Sequence, residues 1–211
     1  MSKNNSPYNA GLTGCRYTFH EMNRILPLLM SDDSDVLLKQ ELIENKYLLI
    51  KTEKSRQRTL AELKRRYNSV PRSFWEYYLT LSEDSQKVAL LYVILKTYRI
   101  ALDFHLNVTI NKWKSIDQTL TTDDIFMEFN EVACRDEFVN SWTDMTRKKI
   151  TSSYLTILRQ AGMLNEQTNQ LSPLKINRED FAYYIKIGET WFLDACLLMP
   201  YEIEQIKEYA L

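Results

Sequence analysis

Four glycines in 211 residues constrain this chain more than any other feature. Sandwiches and barrels turn sharply every few residues, and parallel sheets use glycine-rich turns between strand and helix. With only 5 prolines besides, the residues for such turns are missing, and the expectation is an all-α protein, a compact helical bundle. Apolar residues at 45% supply a sizeable core and exclude a wholly disordered chain.

The apolar spacing agrees. Phe19, Met22, Ile25, Leu26 and Leu29 recur at helical intervals, with Pro27 predicting a kink or an early end. Arg56 to Tyr67 forms a helix on Leu60, Leu63 and Tyr67, with Arg58, Arg65 and Arg66 placed outward. Glu83 to Trp113 reads as one long helix, apolar around most of its circumference and therefore central. Arg99 and Asp103, four apart on it, pair. Thr121-Thr122-Asp123-Asp124 is a capped start, and Thr143 or Asp144 caps a helix that ends at Ala161, where Gly162 suits a left-handed C-cap. Beyond it, Met163-Leu164 and Leu171 to Ile176 flank a polar stretch and can pair as one small β-hairpin.

These pieces suggest a flexible N-terminal arm (1–14), an N-terminal helical lobe (15–115) and a winged-helix-like C-terminal lobe (116–211). The longest apolar run, Val88 to Leu95, falls well short of the roughly 20 residues a bilayer span needs, so membrane insertion is not expected. The N-terminus shows no apolar signal segment. Three well-separated cysteines without a CxxC pair fit free thiols in a reducing cytoplasm, and Cys134 reads as a small apolar filler.

Charge is unevenly placed. The net charge is −1, yet residues 51–72 carry 8 basic and 2 acidic groups, and residues 147–175 carry 5 and 1. Two basic blocks in an acidic protein point toward a polyanion. Enzyme templates fit poorly. There is no HExxH, no phosphate-cradling glycine loop and no GxSxG, and neither His20 nor His105 has metal-ligand spacing. His105 reads as structural. Asp124, Glu128 and Glu131 share a helix side, but helix N-terminal acids have an ordinary dipole explanation. No catalytic residue, metal or cofactor is assigned.

The informative stretch is Thr143 to Ile176. Ile150, Tyr154, Ile157, Leu158 and Ala161 make one face of the helix; Lys148, Lys149, Ser152, Thr156 and Arg159 make the other. A cationic helix, a glycine turn and a hairpin outline a winged helix-turn-helix, in which cations hold phosphates and short hydroxyls reach backbone or base edges. Solvent-facing helices can look the same, so the alternative is a plain solvated face. The basic helix adds Arg58, Arg65 and Arg66, although Glu62 can pair there. The 13 tyrosines suit a protein interface.

Three stretches carry a family resemblance. They are Ser55 to Leu63 with the basic residues after it; Gln86 to Tyr92, running on through Thr97-Tyr98-Arg99 to Asp103-Phe104; and Thr146 to Ile150 with Leu158 to Leu164. Over about residues 16–196 the chain resembles the BrxA family, small accessory proteins of BREX (bacteriophage exclusion) systems. The resemblance implies an all-α core likened to the NusB fold, binding of double-stranded DNA, no catalysis of its own, and partners among the other BREX components. The competing expectation is a protein–protein adaptor in the defence complex without direct DNA contact.

Overall fold

Val88 to Leu95 are all buried, on every side of the helix that carries them. In the computed structural model, which describes residues 5–210, this helix is α5 (Glu83–Thr97), and the rest of the molecule is wrapped around it. Before it come α1 (Phe19–Met30), α2 (Ser34–Glu44), α3 (Glu53–Tyr67) and α4 (Arg72–Tyr78). After it come α6 (Arg99–Asp103), a π-helical turn (Phe104–Thr109), α7 (Ile110–Trp113), α8 (Thr122–Arg135), α9 (Glu137–Asn140) and α10 (Asp144–Gln160). The chain closes with α11 (Arg178–Lys186), α12 (Trp191–Ala195) and α13 (Pro200–Ala210). The protein is all-helical, with no strand among the described residues. No described helix is long and apolar enough to cross a membrane. Buried residues from both sides of position 115, Leu63, Phe104, Phe129, Ile157 and Phe192 among them, belong to one apolar cluster. Each such side chain removed from water contributes about 1.5–3 kcal/mol.

Local chemistry sets the ends. Thr121 and Asp124 form a reciprocal capping box at α8. Thr143 caps α10 by accepting from the Thr146 amide. At the far end Gly162 takes φ +82, and the amides of Gly162 and Met163 return to the carbonyls of Arg159 and Leu158, closing a Schellman turn. α1 runs through Pro27 to Met30 instead of stopping there. The long helix expected from Glu83 to Trp113 is broken: Tyr98 adopts φ −118, ψ 101 and starts a new helix whose Arg99 pairs with Asp103 at 2.9 Å.

The expected β-hairpin is reduced to single bridges. Leu164 pairs with Leu171, and Gln170 pairs with Thr119 from the segment before α8. The 165–170 turn is tightened by Asn165, whose carboxamide accepts from the amides of Gln167 and Thr168. Of the segment expected as a flexible arm, residues 1–4 lie outside the described residues, and Gly11–Thr13 form a 3-10 turn against α10 with Leu12 fully buried. Cys134 is exposed and not a filler.

The π-helical turn places His105 and Thr109 toward the same partner. The Tyr154 hydroxyl from α10 lies 2.9 Å from His105 Nδ1 and 2.6 Å from Thr109 Oγ1, and His105 Nε2 lies 2.7 Å from the Ala195 carbonyl. A carbonyl only accepts, so Nε2 carries the proton and Nδ1 accepts from Tyr154. Burial pushes the imidazole down to about 4. The unfolded chain takes up a proton near pH 6.5 while the folded chain stays neutral to about 4, so stability is complete above 6.5 and falls as pH drops through that window. The expected loss is about 3 kcal/mol. Urea unfolding at pH 7 and pH 4.5 should show His105→Gln losing this much less than the native chain; equal losses would refute the assignment.

Candidate nucleic-acid interface

Helix α10 reads DMTRKKITSSYLTILRQ, four bases to one acid. Its apolar side is locked down by Ile150, Tyr154, Ile157 and Leu158, all fully buried, which forces the opposite side outward. Lys148, Ser152 and Arg159 fall on that outer side, the first and last three turns and about 16 Å apart along the axis. Lys148, Lys149 and Ser152 are exposed; Thr156 and Arg159 are half-buried. Among the described residues, no carboxylate pairs with Lys148, Lys149 or Arg159. Arg159 instead donates to the Asn169 carboxamide at 2.8 Å, which ties the bridged turn to the helix without cancelling the charge. Thr156 is less available, because its hydroxyl donates to the Ser152 carbonyl.

The α3 residues divide. Arg58 is exposed and lies across Gly14: a Cβ at that glycine would sit 2.5 Å from Arg58 Cδ. Arg65 is half-exposed and 3.5 Å from the Glu62 carboxylate, so part of its charge is answered. Arg66 cannot meet a ligand. It is fully buried, and its guanidinium donates to the carbonyls of Cys15, Arg16 and Tyr17, the Thr18 hydroxyl and the Tyr98 hydroxyl. One turn past Leu63 and two past Thr59, both buried, it sits on the edge of the apolar stripe rather than opposite it.

Spacing alone missed Arg16. This exposed residue follows the 3-10 turn and faces Lys148 and Lys149 across an open cleft of about 450 Å3, also lined by Thr13, Met145 and Ser152. The N-terminal segment thus joins the two basic blocks: Arg58 lies on one side of it and α10 on the other. Lys175 lies beside Arg159 and Gly162 in a second cleft, which Asp84 and Lys87 also line. Of the acidic residues of α8, Asp124 is engaged with Thr121 and Lys112, and Glu128 with Asn107 and Arg135.

Fold and surface together define a small all-helical protein that presents a cationic strip beside a tight bridged turn. A family model described as BrxA matches residues 6–187, and the chain belongs to the BrxA family. The BREX protein BrxA of Bacillus cereus (strain H3081.97) is 34% identical over 84 residues, which cover 40% of this chain and 42% of that protein, less than half of its length. The crystal structure of an uncharacterized protein from Magnetospirillum magneticum is similar with a TM-score of 0.74, at 19% identity, over 90% of this chain and 98% of that one, a likeness of fold.

Proposed function

We propose that the chain is a non-catalytic, cytoplasmic accessory protein of a BREX-type phage-defence system and that it binds double-stranded DNA. The observation that carries this reading is the outer face of α10, where Lys148, Lys149 and Arg159 have no carboxylate partner among the described residues. Charges left unanswered in an acidic protein repel one another until an anion arrives. A duplex offers a regular row of them, and each phosphate neutralised releases counterions. In this reading residues 116–211 act as a winged-helix-like lobe: α8 supports α10, α10 enters the groove, and the 165–170 turn touches the backbone. Lys148, Lys149, Arg159 and Arg58 contact phosphates, Ser152 reaches backbone or base edges, Thr156 only accepts, and Arg65 contributes weakly. Phosphate contacts outnumber base contacts, so affinity depends little on sequence.

The test is an electrophoretic shift of a random duplex in low salt. Retardation that fades as salt rises is expected, with log K falling by about 0.9 per log salt for each phosphate held.

A second reading, an adaptor for other BREX components without DNA contact, is favoured by the exposed apolar residues at the end of α2 and just after it, where Ile43 is 82% and Leu49 63% exposed. No retardation at any salt, together with co-purification of BREX proteins that Ile43→Ser abolishes, would select it.

A further inference from the structure

We propose that the cleft between residues 13–16 and α10 is a clamp for one internucleotide phosphate of the duplex, with Arg16 supplying the third cation beside Lys148 and Lys149. The proposal rests on the DNA-binding reading and assigns a specific seat within it. Three cations from two separate chain segments converge on the cleft, the Ser152 hydroxyl adds a short donor, and none of its lining residues is acidic. Cations brought together without an acid repel, so the arrangement needs a reason to persist. That reason lies behind Arg16. Its own carbonyl, with those of Cys15 and Tyr17, is held by the buried guanidinium of Arg66, while Leu12 and Cys15 are buried on the N-terminal side. Arg16 is therefore presented by a fixed backbone, which lowers the ordering cost of gripping an anion. A phosphodiester there accepts from the planar fork of Arg16 and from the ammonium groups opposite. Arg66 is the positioning residue, acting through the backbone and touching no ligand.

The test is a double-mutant cycle on the full chain, reading anisotropy of a random duplex across a salt series for the native protein, Arg16→Gln, Lys148→Gln and the pair. Arg16→Gln should weaken binding about fivefold and flatten the salt slope by less than the ~0.9 of a whole phosphate, because Lys148 and Lys149 still hold it, with Arg16→Lys keeping the slope. The double variant should lose clearly less than the product of the single losses, because both side chains hold one phosphate. Arg16 is exposed, so its variants fold, and matched thermal melts check this. Normal binding by Arg16→Gln with weakened binding by Lys148→Gln overturns the clamp and leaves the α10 interface standing. Losses that multiply place the two residues on separate phosphates and also overturn it. If neither single variant changes affinity or slope, the clamp and the α10 interface both fall; if the native protein binds no duplex at any salt, the DNA-binding reading falls as well.

Discussion

Arg66→Met is expected to lower unfolding free energy by at least about 4 kcal/mol, a large part of the 5–15 kcal/mol typical of a natural domain. The guanidinium is fully buried and satisfies three carbonyls and two hydroxyls. Burial opposes its charge, yet Tyr98, Cys15 and Glu62 around it outweigh that and raise its pKa above the usual arginine value. Methionine fills most of the volume and makes none of the bonds. Each buried carbonyl left without a donor costs about 1–3 kcal/mol. Three of them lie in consecutive residues, so segment 15–17 should detach as a unit. Arg66→Lys should recover only a minor share, because one ammonium cannot span three carbonyls as a planar fork does. Urea unfolding measures both, and a loss below about 1 kcal/mol for Arg66→Met would contradict the account.

Reversing two charges on α10 should have the largest effect on binding. Lys148→Glu with Lys149→Glu removes two cations and puts two anions opposite the phosphates, so affinity for a random duplex at low salt should fall on the order of a hundredfold. Both side chains are exposed, so the melting temperature should hold. Unchanged affinity in a folded variant would remove α10 from the interface.

Helix identities were legible because they rest on local patterns. The capped start at Thr121–Asp124, the cap expected at Thr143 or Asp144, which is Thr143, and Gly162 each act within one turn of chain. The outer face of α10 was legible for the same reason: five buried apolar neighbours fix the direction of Lys148 and Lys149. What was illegible depends on partners far along the chain. Arg66 reads as a surface cation until the carbonyls of residues 15–17, some fifty residues earlier, come to meet it. Arg16 carries no periodic signal, and its role comes from the packing of the 3-10 turn against α10. The break at Tyr98 is similar. Within an apolar run nothing local forbids helix there, and the long-range ties of its hydroxyl to Glu62 and Arg66 favour another backbone. The hairpin failed by degree: its pieces come together, but each contributes a single bridge.

The central claim, that duplex DNA covers the strip running from Arg58 over Arg16 to the outer face of α10, is tested most directly by mapping lysine acetylation with and without a random duplex. Saturating DNA should shield Lys148 and Lys149 several-fold while Lys114 and Lys207 keep their free reactivity. Equal acetylation of all four with DNA demonstrably bound, or shielding confined to Lys114 and Lys207, would contradict it.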